Sequence, residues 1–187
     1  MNYYGPKELA ASFRTVRNNT ITVAQDIPEE KYSFQTAPGA RTVAQTFRHM
    51  AAAPRLALQI HRVERRRTLE GFDFPGFMAA SIAAEQADTS KAQIIEMLRT
   101  SGDDIAGWLG GLTDEFLAEE VVFPQGMMPP AKTRFEMLLG MKEHEMHHRG
   151  QLMMIERMLG VVPHLTRQMQ ERIAAMQAQA QVGKAGA

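Results

Sequence analysis

Apolar residues recur through most of this chain at helical spacing, and the alternation that marks strands is nearly absent. From about Pro6 to Gln25, the residues Leu9, Phe13, Val16 and Val23 fall near one helical face. Pro6 suits a helix start and Ile27-Pro28 a stop. A polar connection containing Pro38-Gly39 leads to a second helix, expected from near Thr42 to about Thr68. It carries Val43, Phe47, Met50, Leu58 and Val63 on its apolar positions. Pro54 lies inside it and predicts a kink or an early break, because proline removes a backbone donor and clashes with the preceding turn. The run Gly71-Phe72-Asp73-Phe74-Pro75-Gly76-Phe77 reads as a turn-rich loop that tucks its phenylalanines into the core.

Ser90 is placed to cap a third helix reaching Leu109, with Ile94, Ile95, Leu98, Ile105 and Trp108 as candidate core and Gly110-Gly111 as its end. Val121 to Ala131 holds three prolines and a glycine, which predicts a loop or a short hairpin. A fourth helix follows from about Thr133 to Leu159, and a last one from about Leu165 to Gln179. Residues from about 180 to 187 read as a flexible tail. The expected architecture is all-α: a four-helix bundle with a C-terminal extra helix, in one domain over 1–187.

With 187 residues the chain is long enough to bury a core without a disulfide or a structural metal. Any metal would therefore serve function. Its 21 Lys+Arg balance 21 Asp+Glu, which removes the electropositive footprint of a nucleic-acid binder. No cysteine is present, so thiolate nucleophiles, zinc ribbons and iron–sulfur ligation are excluded and the chemistry must come from other side chains. No signal segment or long apolar run is found, and the expectation is a cytoplasmic protein with no membrane partner.

Three of the six histidines fall in His144-Glu145-Met146-His147-His148, in the middle of the fourth helix. At roughly 100° per residue, His144 and His148 lie only about 40° apart in azimuth and about 6 Å apart in rise, so both imidazoles can meet one ion. They share their face with Met137, Met141, Ile155 and Met158, which predicts that they point inward, whereas His147 turns to the side. Two ligands leave a metal under-coordinated, and a third must come from another helix. His49 is the candidate, with Ala51, Ala52 and Ala53 giving room for close approach. It reads equally well as a half-buried polar residue beside the Pro54 kink. His61 lies within an arginine run, Arg62, Arg65, Arg66 and Arg67, that reads as a solvated face and disfavours a cation. His164, after Pro163, reads as structural.

The cluster also satisfies H-E-x-x-H, in which Glu145 would be the general base of a zinc protease or hydrolase, but the motif's glycine-containing extension is missing. Glu145 and His148 form one E-x-x-H half-motif of di-iron bundles, with no second copy, so a single-metal site is expected. Glu145 and His147 are the candidate catalytic residues. Arg149 and Gln151 are candidates for substrate contact or helix packing, and Gly150 for close helix approach.

The run from His144 to Leu152, the Phe123-Pro124-Gln125-Gly126 loop, the Leu159 to Pro163 turn and Thr42-Val43-Ala44-Gln45 leading to His49 together resemble the DinB (DinB/YfiT-like) family of helix bundles. That resemblance implies a divalent metal, nickel or zinc, held by His49, His144 and His148. It further implies a transferase or isomerase that uses a low-molecular-weight thiol with a small-molecule substrate, and a homodimer, for which the methionine-rich helices are suited. The alternative is a non-catalytic helical dimerisation or stress-associated protein with structural histidines.

Overall fold

The computed structural model describes residues 4–185, with side chains described through Gln181. Four helices carry the bundle: α1 (Pro6–Asp26), α2 (Val43–Ala52), and, with their shorter companions, α5 (Lys91–Gly110) and α7 (Arg134–Met158). Between α2 and α5 run α3 (Arg55–Leu58), a π-helical turn (Gln59–Val63) and α4 (Phe74–Glu85). Between α5 and α7 lie α6 (Asp114–Ala118) and a hairpin of β1 (Glu120–Val122) and β2 (Ala131–Thr133), and α8 (His164–Ala185) ends the chain.

Caps written in the sequence set several of these bounds. Thr42 with Gln45, Ser90 with Gln93 and Thr133 with Glu136 each form reciprocal capping boxes that satisfy otherwise orphaned backbone N–H groups. The second helix breaks rather than bends: Pro54 cannot donate a hydrogen bond, α2 ends at Ala52, and the continuation stops at Val63 instead of Thr68. Val63, expected in the core, is exposed. The segment beyond it is held by β1, with Leu69 N donating to Val122 O and Val122 N to Arg67 O. The hairpin pairs Glu120 with Thr133 and Val122 with Ala131, antiparallel.

Helix α1 packs against α5 and α7, and α2 against the same two, so α1 and α2 occupy opposite corners. Two apolar layers fill the bundle. One gathers Val23, Ile27, Phe47, Met50, Ile94, Leu98 and Leu152, the other Leu9, Phe13, Ile105, Leu109, Leu138 and Met141. At mid-height stands a polar layer. Arg17, 2% exposed, donates through Nε and Nη2 to the carboxylate of Glu145, 1% exposed, at 2.8 Å each. Its Nη1 donates to Leu98 O and Ser101 Oγ and its Nη2 to Met50 O, so one guanidinium ties all four helices together. Gly102 on α5 makes room, since a Cβ there would stand 2.6 Å from Arg17 Cγ.

Four expectations are corrected here. Helix α4 occupies a stretch read as loop. It starts at Asp73, whose carboxylate caps Gly76 N, and its apolar residues Met78 and Ile82 face solvent, so no buried stripe announces it. Of the loop phenylalanines, Phe72 and Phe74 are half-buried against the small cluster of Ile60, Leu69 and Val121. Gly150 approaches no neighbouring helix: a Cβ there would meet nothing within 4 Å. The final helix ends at Ala185 instead of near Gln179, and 186–187 lie outside the described residues. Among the described residues, no helix is long and apolar enough to cross a membrane.

Glu156 on α7 is fully buried, and both its carboxylate oxygens lack a partner. Burial first, then the charge of Asp26, pushes its pKa up to about 7. The folded chain therefore holds a proton that the unfolded chain releases near the ordinary value of 4.5. Stability contributed by this group is full below that value and is lost as pH rises through about 7, by up to roughly 3 kcal/mol. Urea unfolding at pH 5 and pH 8 is expected to show this loss in the wild type and a flatter profile in Glu156→Gln.

Candidate metal centre

Helix α2 carries His49, and α7 carries His144 and His148 one turn apart, beside the Arg17–Glu145 layer. The three side chains converge, with one ring nitrogen of each within 4.8 Å of the others. His49 Nε2 and His148 Nε2 each lie 3.1 Å from His144 Nε2. The far side of two rings is fixed. His49 Nδ1 stands 2.7 Å from Glu85 Oε1, and His148 Nδ1 stands 2.9 Å from Gln151 Oε1. An oxygen acceptor at Nδ1 places the proton there, so both Nε2 atoms present lone pairs. These two lone pairs aim at His144 Nε2, which has at most one proton to offer when neutral. The arrangement leaves excess electron density at its centre, the complement of a cation.

The two 3.1 Å spacings agree with that reading. Imidazole nitrogens at about 2.0–2.1 Å from one ion, at right-angle to tetrahedral openings, stand about 2.9–3.4 Å apart. Protonation is also disfavoured. Burial first, then the neighbouring His148 and His49, lowers the pKa of His144 to about 4. Burial likewise lowers that of His148, against the opposing hydrogen bond with Gln151. The residues present thus suit a divalent ion, with three nitrogen donors, two of them oriented by groups behind them.

Glu85, the last residue of α4, was not singled out by sequence reasoning. Burial alone would raise its pKa, but the hydrogen bonds from Arg41 and His49 outweigh it and hold the carboxyl below its usual range. Arg41 donates to Glu85 Oε2 at 2.7 Å, and Arg48 on α2 donates to the Glu85 backbone carbonyl. Helix α4 is thereby pinned to α2 with its acid behind His49. A signal existed in the sequence, since Glu85 is the one charged residue in an otherwise uncharged segment whose start is marked by Asp73 and Pro75.

The remaining candidates separate. Glu145 does not join the three histidines as a free base; its oxygens are taken by Arg17, which corrects the general-base reading of H-E-x-x-H. His147 is exposed, and its Nε2 accepts from Gln151 Nε2 at 3.1 Å. Gln151 thus bridges two histidines, while Arg149 Nη1 donates to Val16 O across the helix packing. His164 Nε2 lies 3.3 Å from Asn19 Oδ1, in keeping with a structural role. His61 is not on the solvated face of its arginine neighbours but buried, against Arg134. A cavity of about 350 Å³ adjoins His49 and His144 and is walled mainly by apolar residues. On the side of His148 lies a more polar hollow lined by Arg41, Thr46, His147 and Gln151.

The model of the DinB superfamily matches residues 12–152, which span both the His49 helix and the His144–His148 helix. Among solved structures, a DinB-like protein of Bacillus subtilis, YjoA, aligns with a TM-score of 0.59 at 20% identity, covering 82% of this chain and 92% of its own. YfiT of Bacillus subtilis, described as a probable metal-dependent hydrolase with an unusual four-helix bundle topology, aligns with a TM-score of 0.65 at 16% identity, covering 86% and 91%. Among curated proteins, none matches the chain. The matched stretch takes in most of the chain and all three histidines, and this protein belongs to the DinB superfamily.

Proposed function

We propose that this chain is a divalent-metal enzyme, a transferase or hydrolase, in which His49, His144 and His148 hold nickel or zinc. The convergence of the His49 and His148 lone pairs on His144 Nε2, at 3.1 Å each, carries the reading. The description of YfiT as a probable metal-dependent hydrolase supports it. A bound ion of this kind lowers the pKa of a coordinated water or thiol toward neutrality and polarises a substrate carbonyl.

The chain's own residues supply the rest. Glu85 and Gln151 orient two of the ligands from behind, and Glu145, through Arg17, fixes the height of α7 against α1. His147, exposed beside His148, is the group placed to move protons between the site and solvent. Two hollows flanking one histidine cluster suit a reaction between two partners. The apolar cavity takes an apolar substrate, and the Arg41 side takes a small polar thiol, which the chain, having no cysteine, would draw from solution. Exposed Met154 and Met158 on α7, with Met169, Ile173 and Met176 on α8, support a homodimer and also favour the second reading, a non-catalytic helical interaction protein.

Elemental analysis separates the two. Untagged wild type purified without chelator is expected to carry about one divalent ion per chain, and His49→Ala none, with both equally helical by circular dichroism. Wild type that holds no metal and cannot be loaded leaves the interaction reading in place.

A further inference from the structure

His61 contributes to the wall of the apolar cavity that reaches His49 and His144, together with Leu56, Ile60, Phe77 and Met137. It is 1% exposed. Its Nδ1 lies 2.9 Å from Arg134 Nη1, and a guanidinium can only donate, so Nδ1 accepts and the ring proton of the neutral imidazole sits on Nε2. Arg134 is itself held, with Nε donating to Glu119 Oε2 at 2.9 Å and Nη2 to Arg65 O. The tautomer is therefore locked by a chain of contacts running from Glu119, just before β1, through Arg134 in the first turn of α7. Burial and the Arg134 charge also lower the His61 pKa to about 4, which keeps the ring neutral around pH 7.

The locked donor has nothing to donate to: Nε2 is buried and lacks a partner. An unsatisfied buried N–H is costly and rare, and on a residue that lines a cavity this size it calls for an acceptor. The carboxylates along the same cavity do not supply it, since Glu85 is engaged by Arg41 and His49, and Glu145 by Arg17. Ser81 Oγ donates to Phe77 O within α4.

We propose that His61 is a substrate-recognition residue, whose Nε2–H binds the carbonyl oxygen of a small, uncharged, mainly apolar compound occupying the cavity beside the three histidines. This deepens the enzymatic reading and rests on it for the cavity's role as the approach to the metal. The residue acts on specificity, separate from the metal ligands.

Acetophenone and α-methylstyrene share a skeleton and differ in a carbonyl oxygen against a methylene, so their ratio of affinities isolates the acceptor. Both are titrated into the full ¹⁵N-labelled chain and followed by NMR, in wild type and in a His144→Ala background where a metal cannot favour the ketone. Acetophenone is expected to bind about tenfold more tightly in both, the range of one hydrogen bond to a buried group, and to move the His61 Nε2–H resonance, which the alkene leaves in place. His61→Phe, which keeps an apolar wall, abolishes the preference, and His61→Gln, which returns an amide N–H, restores part of it. The Nε2–H readout in wild type stands even where the Phe variant fails to fold. Equal affinities in wild type, binding of neither compound, or an unchanged preference in His61→Phe overturns the proposal. A preference that disappears only with His144→Ala also overturns it while leaving the metal reading intact.

Discussion

Replacing Arg17 with methionine is expected to lower the unfolding free energy by about 3–5 kcal/mol, the cost of stranding one charge of a buried pair. The guanidinium serves four helices at once: the Glu145 carboxylate on α7, Leu98 O and Ser101 Oγ on α5, and Met50 O on α2. Removing it leaves a carboxylate that is 1% exposed without its hydrogen-bonded cation, with Arg149 as the remaining charge nearby. Methionine matches the stem of arginine in length, so the loss measures polarity more than a cavity. The double replacement Arg17→Met with Glu145→Leu removes both charges and is expected to recover most of the loss, because an apolar pair of similar volume pays no desolvation penalty. Urea denaturation at pH 7, followed by circular dichroism, decides the matter. A double variant no more stable than the single one would show that the layer holds the bundle through the Leu98, Ser101 and Met50 contacts instead of through the ion pair.

The same layer shows what a sequence can and cannot carry. Helices α1, α5 and α7 were legible because their caps and stripes are local: Pro6, the Ser90 and Thr133 boxes, and apolar residues at three and four. The convergence of His144 with His148 was legible for the same reason, since spacing of four on one helix is geometry in itself. The third histidine is only a candidate on even terms with a structural reading without the resemblance, because His49 is joined to His144 across 95 residues by the fold alone. Arg17 looks like any helical arginine, its partner being 128 residues away, and so Glu145 stands in the sequence as a candidate catalytic residue with no sign of its ion pair. His61 was obscured by exposed arginines beside it in sequence, although Arg134, 73 residues on, draws it inward. Helix α4 inverts the usual pattern: it exposes Met78 and Ile82 and buries Glu85, so hydrophobic periodicity pointed away from it. Each failure comes from a polar group satisfied by a distant partner, which apolar spacing does not encode.

Zinc or nickel is expected to raise the thermal midpoint of the wild-type chain and to leave that of His144→Ala unchanged. Free metal at a thousandfold excess over its dissociation constant adds about 4 kcal/mol to the folded state, roughly 8–15 °C for a domain of this size. His144 is the decisive position because its Nε2 lies 3.1 Å from both His49 Nε2 and His148 Nε2, so its removal leaves those two nitrogens facing an opening. The metal-free variant is expected to unfold within about 1 kcal/mol of stripped wild type, as the half-buried imidazole it loses lies among electron-rich neighbours rather than in the apolar layers. Stability and ligation thus part company at one residue, opposite to Arg17, where the fold itself depends on the side chain. Differential scanning calorimetry of both stripped proteins, with and without metal, checks the pair of expectations. An equal rise in His144→Ala would place the ion elsewhere in the chain and remove the geometric basis for reading these histidines as a catalytic centre.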